Sequence, residues 1–238
     1  MSICLEDKMK AVILCGGLGS RLEGLTENKQ KCCIQLSKEH TALSLNIKGC
    51  LDFGIKDFTF LVHHRAEDVF QEVDRVLCKE DVRILYVDTY LGLKETLKVL
   101  PFWYYYVING DTIRYNLVEE LKKIKDYPVY DVVLCSLKMF KYGDSFNNIS
   151  FGDKHFEAFK GKIKHTKMSS SFGHRWTPSG VYYINRSYEP KSFQSDAAGA
   201  ESLLSSNCAF VPGSESWIDM GTPEGLEKAI KMVSGFYE

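Results

Sequence analysis

The chain has 238 residues, 45% of them hydrophobic, enough for the core of one large domain or two small ones. Its formal net charge is −1, so no basic excess points to nucleic acid or to an anionic membrane surface. No apolar run approaches the ~20 residues of a membrane span, and Glu6, Asp7 and Lys8 argue against a secretion signal.

The first predicted element is a strand, Ala11-Val12-Ile13-Leu14: short, rich in branched residues, cut off by glycines and so expected to be buried on both faces. Gly16, Gly17 and Gly19 then allow backbone N–H groups to turn inward and approach a ligand closely. Ser20 and Arg21 follow where a helix or helical turn begins, a place that favours anions. Arg21 offers a guanidinium fork for two phosphate oxygens, and Lys31 a mobile point charge. On the glycines alone, an ordinary strand-to-helix turn with surface cations fits equally well. Two phosphate motifs are excluded. A P-loop needs Gly-Lys-Ser/Thr, and Gly19 is followed by Ser20-Arg21. A dinucleotide fingerprint needs a third glycine where Leu22 stands.

Thr41 to Leu51 places Leu43, Ile47, Cys50 and Leu51 on one helical face, with Gly54 as the stop. Asp57 to Val62 reads as a second strand. Ala66 to Leu77 reads as a second helix with Val69, Phe70, Val73 and Leu77 inward, and Val82 to Val87 as a third strand. This alternation predicts parallel pairing with right-handed crossovers, and ligands collect beyond the carboxyl ends of such strands. Trp103 to Ile108 is the fourth strand and ends in Asn109-Gly110-Asp111. A carboxylate there is placed to hold a cation over the glycine loop, although the same dipeptides mark plain turns. Asn116 with Glu119 reads as a helix cap, with Leu121 and Ile124 inward.

Tyr130 to Leu137 is a further buried strand, and about 142–171 reads as a β-rich lobe covering a substrate. Pro178 to Ile184 returns to strand, 198–204 reads as a short helix and Cys208 to Val211 as a last strand. Thr222 as N-cap and Pro223 as first helical residue start a closing helix with Leu226, Ala229, Ile230 and Val233 buried. Eight cysteines (Cys4, Cys15, Cys32, Cys33, Cys50, Cys78, Cys135, Cys208) lack zinc-like spacing and read as small core residues of a reduced, cytoplasmic protein.

Gly16-Gly17-Leu18-Gly19-Ser20-Arg21-Leu22 with Lys31 ten positions after Arg21 resembles the signature of the sugar-1-phosphate nucleotidylyltransferases, with Gln30 where that family usually has proline. Gly110-Asp111 and Ile218-Asp219-Met220-Gly221-Thr222-Pro223 match the same family, so the resemblance runs from Lys10 to about Ile230. It implies an α/β, Rossmann-like (GT-A-like) three-layer sandwich with a mostly parallel mixed central sheet and a small β-rich substrate lobe. The whole chain would be a single nucleotidyltransferase domain, with a nucleotide-binding half at about 9–138 and a sugar-binding lobe with closing elements at about 139–238. Nucleotide binding is implied for Leu14, Gly16, Gly17, Gly19, Ser20, Arg21, Gly92 and Gly110. Sugar-phosphate binding is implied for Lys162, Gly180, Tyr182 and Asp219, with Glu157 a weaker candidate. Catalysis is implied for Arg21, Lys31 and Asp111, and Mg²⁺ binding for Asp111 and Asp219.

The implied reaction joins a nucleoside triphosphate to a sugar 1-phosphate with release of pyrophosphate. Leu14-Cys15-Gly16-Gly17, Asn109-Gly110-Asp111-Thr112 and the Ile218-to-Pro223 run look closest to guanylyltransferases for heptose or mannose 1-phosphate, of the kind that serve surface-polysaccharide synthesis. UTP, dTTP and CTP remain open as donors, as does a homodimer. Gln30, Leu93-Lys94-Glu95 after Gly92, and Pro178 depart from the family pattern, which motivates an alternative of another class: a nucleotide-sugar-binding regulatory subunit without turnover.

Overall fold

Ala11, Val12 and Ile13 are wholly buried in β1 (Lys10–Leu14), the strand from which the sheet grows in both directions. The computed structural model describes residues 9–90, 96, 100, 104–125, 132–138, 149–150, 175–185, 208–212 and 217–237. β1 pairs in parallel with β2 (Asp57–Val62) on one side and β4 (Tyr104–Asn109) on the other. β2 pairs in parallel with β3 (Arg83–Asp88), which lies at the edge. β8 (Arg175–Asn185) runs antiparallel to β4 and to β6 (Val132–Lys138), and β9 (Cys208–Pro212) lies parallel to β6 at the far edge. β7 (Ile149–Ser150) pairs with β8, and β5 (Thr112–Arg114) forms a separate antiparallel ribbon with β10 (Trp217–Asp219). The chain is therefore α/β with a mixed, largely parallel sheet, as the alternation of elements predicts.

One sheet face carries Ala11, Ile13, Phe58, Phe60, Val62, Tyr106, Ile108 and Val181. Packed on it are α1 (Ala42–Asp52), α2 (Ala66–Leu77) and α3 (Leu117–Lys125), through residues such as Leu43, Ile47, Val69, Val73, Leu121 and Ile124. The alternate positions Val12, Leu61 and Val107 are buried too, which is why these strands read as unbroken apolar runs. Thr41 closes a capping box with Ser44 at the start of α1, and Gly54 ends that helix in a left-handed turn at φ 94. The Glu119 N–H donates to Asn116 Oδ1 at 3.0 Å, so the predicted cap of α3 forms. A second core holds α4 (Pro223–Tyr237) through Leu226, Ala229, Met232 and Val233 against Leu22, Ile113 and Met220.

Two inward assignments are corrected. Phe70 is 38% exposed, because its ring meets the edge-strand ring of Tyr86 edge-on, at 4.5 Å, beyond the main core. Ile230 is 38% exposed, and Met232 turns inward in its place. Cys15, Cys32, Cys33 and Cys50 are buried free thiols and Cys78 an exposed one, and burial pushes the Cys50 thiol up to about 12. No helix among the described residues is long and apolar enough to cross a membrane. The β-rich stretch at about 142–171 and the helix expected at 198–204 lie essentially outside the described residues.

Behind the sheet's carboxyl edge sits a buried polar hub. Arg114 donates to Asn46 Oδ1 at 2.8 Å and to the carbonyls of Thr112 at 3.0 Å and Ser179 at 2.6 Å, and its Nε lies 3.5 Å from Glu120 Oε2. Both charged side chains are essentially inaccessible to water. Arg114→Met leaves the Glu120 carboxylate buried without its guanidinium, and the expected cost is about 3–5 kcal/mol, read as a lower urea midpoint at unchanged slope.

Candidate active site

The loop after β1 extends the strand by one bond, the Cys15 N–H to the Leu61 carbonyl at 2.8 Å, before it turns. A Cβ on Gly16 would lie 2.7 Å from Thr89 Oγ1, so this stretch can lie against β2 and β3 only with hydrogen there. Gly19 adopts φ +69, with its carbonyl accepting from Thr26 Oγ1 at 3.2 Å. By contrast, nothing lies within 4 Å of the position a Gly17 Cβ would take, and Leu18 is 63% exposed. One side of the loop is packed and the other open. Ser20 and Arg21, both exposed, begin the 3₁₀ turn Ser20–Thr26.

Lys31 opens a second 3₁₀ turn, Lys31–Cys33, whose two cysteines are buried beneath it. Its ammonium pairs with the Asp111 carboxylate. Asp111 follows Gly110, whose N–H donates to the Leu14 carbonyl at 3.1 Å. Asn46, on α1, reaches the same turn from below and donates to the carbonyls of Gly110 at 3.3 Å and Thr112 at 3.0 Å.

Asp219 arrives from the other end of the chain. In the β5–β10 ribbon it faces Thr112, and the Met220 N–H donates to the Asp111 carbonyl at 3.1 Å. Its Oδ1 accepts the Gly221 N–H at 2.6 Å. A Cβ on Gly221 would collide with Arg21 Nη2 and lie 2.9 Å from Asp219 Oδ1, so the guanidinium and this carboxylate flank one glycine. Burial raises the Asp219 pKa, and the Asp111 charge raises it further, against Lys31, the Gly221 N–H and Arg21. The structure thus brings Arg21, Lys31, Asp111 and Asp219 together beside the glycine loop.

Other expected site residues are less exposed. Tyr182 is 1% exposed within β8, and burial, with a further contribution from the Asp111 charge, raises its phenol pKa. Gly180 adopts φ +79, with Arg114 and Asn109 both 2.8 Å from where its Cβ would be, so close approach explains the glycine. Gly92, Glu157 and Lys162 lie outside the described residues. His63 borders Gly16 and pairs with Asp88 at 3.0 Å. Sequence reasoning missed Asn46, although a lone amide beside the apolar face of Leu43, Ile47 and Cys50 is the signal that a buried acceptor needs a donor.

A family model described as Nucleotidyl transferase matches residues 10–234. HddC from Yersinia pseudotuberculosis, complexed with GMP-PN, superposes with TM-score 0.69 at 19% identity, covering 94% of this chain and 99% of that one. A UDP-glucose pyrophosphorylase from Acinetobacter baumannii gives TM-score 0.73 at 14% identity, over 95% of this chain and 93% of that one. In sequence, a choline-phosphate cytidylyltransferase of Streptococcus pneumoniae is 33% identical over 82 residues. That match spans 34% of this chain and 34% of the relative's length.

The close approach of the Asp111 turn to β1 gives a direct test. A Cβ on Gly110 would sit 2.7 Å from the Leu14 carbonyl oxygen, a backbone atom that cannot swing aside. Gly110→Ala is expected to lose about 1–3 kcal/mol of stability, measured by chemical denaturation, because β1 and β4 must part at their carboxyl ends.

Proposed function

The chain belongs to the nucleotidyl transferase family, and from that premise we propose that it condenses a nucleoside triphosphate, GTP favoured, with a sugar 1-phosphate of heptose or mannose type. The products are a nucleoside-diphosphate sugar and pyrophosphate. The observation that carries this reading is the meeting of Arg21, Lys31, Asp111 and Asp219 beside a loop whose outer side is open. Guanine as the base is favoured by the Leu14-to-Gly17 and Asn109-to-Thr112 sequences, and HddC, similar in fold, is complexed with GMP-PN.

The chemistry is an electrostatic problem. A sugar phosphate oxygen attacks the α-phosphorus in line, the bond to the bridging oxygen breaks, and the electron pair leaves with pyrophosphate. At ~4 Å, two unit charges repel by roughly 4 kcal/mol at an effective dielectric of 20. Loop N–H groups and Arg21 take the charge that develops on pyrophosphate. Lys31, paired with the carboxylate of Asp111, would bridge the phosphates of the two substrates. A sugar phosphate is already ionised at neutral pH, so no general base is required, and positioning carries the rate.

Asp111 and Asp219 form an all-oxygen donor pair; burial first, and then the charge of Asp111, raises the Asp219 pKa, and a divalent cation between the two carboxylates would relieve their mutual repulsion. Such a pair fits Mg²⁺, which is commonly held by one or two carboxylates together with substrate phosphates. Bound there, the ion would neutralise and orient the α-phosphate.

Pyrophosphate release is measured with GTP, UTP, dTTP and CTP against heptose, mannose and glucose 1-phosphates and choline phosphate. Turnover is expected with GTP and a heptose or mannose 1-phosphate, and loss of it with EDTA. Asp111→Asn and Asp219→Asn are each expected to lower kcat by about 10²–10³-fold. Binding without turnover across the panel would sink the enzyme reading in favour of a regulatory subunit; turnover with another pair would reassign donor or acceptor.

A further inference from the structure

Gln30 is 1% exposed and lies directly beneath the glycine loop. Its Nε2 lies 2.6 Å from the Cys15 carbonyl oxygen, 3.1 Å from that of Gly17 and 3.0 Å from that of His64. Three carbonyl oxygens around one terminal atom fix the orientation of the carboxamide, since an oxygen there would face only acceptors. Two N–H bonds thus serve three carbonyls, one of them shared. From its main chain, Gln30 donates to Asp68 Oδ2 at 2.7 Å, and Asp68 also accepts from Arg65 Nε at 3.0 Å. The residue is held at both ends. Its φ of −64 and ψ of 135 are ordinary extended values and its N–H bond to Asp68 could come from any residue but proline, so the backbone does not require glutamine; the side chain must account for it.

We infer that Gln30 is a positioning residue that aims the amides of the phosphate loop, an assignment that rests on the triphosphate-binding reading given above. The described peptides contain no cis bond, and in a trans peptide the C=O and N–H point in opposite directions. Drawing the Cys15 and Gly17 carbonyls down onto Gln30 therefore turns the N–H groups of Gly16 and Leu18 the other way. Beside them, the position a Gly17 Cβ would take is open, and Leu18 is 63% exposed. An anion arriving there meets donors already oriented, with no loop reorganisation at the moment of binding. The third bond, to His64, ties the loop to the turn between β2 and α2. Lys31, the next residue, is carried by the same anchored segment, so one side chain couples the loop's amides to the placement of the ammonium. The carboxamide is neutral, and it does this without altering the charge balance among Arg21, Lys31, Asp111 and Asp219.

The test compares the full chain with Gln30→Met, which keeps length but has no donor, and Gln30→Glu, which is isosteric but presents acceptors to acceptors. Calorimetric titration with inorganic tripolyphosphate reads the loop without any base or sugar. The wild type is expected to bind it, Gln30→Met about tenfold more weakly and Gln30→Glu more weakly still. In turnover, the KM for GTP is expected to rise in parallel while the KM for mannose 1-phosphate stays within about twofold. Overturning results are no binding of tripolyphosphate by the wild type, binding by both variants within twofold of wild type, or both KM values rising together. Failure of both variants to fold would also overturn it, in favour of a purely structural role. If tripolyphosphate binding depends on Gln30 but no substrate pair releases pyrophosphate, the transferase reading fails and this assignment stands. If pyrophosphate is released and the variants match wild type, the reverse holds.

Discussion

A three-residue ribbon decides whether this site exists. β5 and β10 pair Ile113 with Ile218 and Thr112 with Asp219, and the Met220 N–H reaches the Asp111 carbonyl. So short a ribbon is not stable by itself in water. Its stability comes from what is packed beneath it: Ile113 and Met220 are buried with Leu22 and the inner face of α4. Thr222 caps that helix, its Oγ1 accepting the Gly225 N–H at 3.1 Å, so the helix starts four residues after Asp219 and fixes the carboxylate's approach. Loop-closure entropy opposes joining residues so far apart in sequence. The buried apolar area under α4 is what offsets it.

The parts that were legible in the sequence are those in which local chemistry and tertiary burial agree. β2 and α2 begin and end where the alternation and the helical period place them, and the Thr222-Pro223 start of α4 is in place. Phe70 and Ile230 were misplaced because a helical period identifies a stripe but not its edges. Phe70 finds its partner on an edge strand, and that pairing depends on sheet order. Tyr182 is buried in β8, in register with Val107 of β4 and Leu134 of β6, a depth that its motif does not reveal. β5 and β10 are each only three residues long, too short for a period to emerge. Arg21, Lys31, Asp111 and Asp219 stand close to one another, as the motifs that carry them led one to expect.

What could not be read from the sequence is the polar support. Asn46, Asp68, Arg114 and Glu120 each look like an ordinary surface residue in isolation, yet all are buried. They are tolerated inside because each has partners among carbonyls or charges already fixed by the backbone. Arg114 alone links α1, β5, β8 and, through Glu120, α3. Such a hub is specified by pairings between elements: Asn46 and Ser179 lie far along the chain from Arg114 on either side, so no short window of sequence contains either pair.

The support has a division of labour that follows from charge. Ions are used away from the anion-facing surface: the Arg114–Glu120 pair behind the sheet edge, and Asp68 with Arg65 at the start of α2. Nearer the surface, where a fixed extra charge would alter how strongly substrate phosphates are attracted, the gripping groups are carboxamides. Asn46 holds the turn bearing Asp111, and Gln30 holds the glycine loop. Each donates to backbone carbonyls and so fixes the peptides that carry them. A site that must draw two anions together gains from donors locked before the anions arrive, because water and loop motion then have little left to reorganise. Neutral amides can lock them from underneath while the four charged side chains alone set the field above.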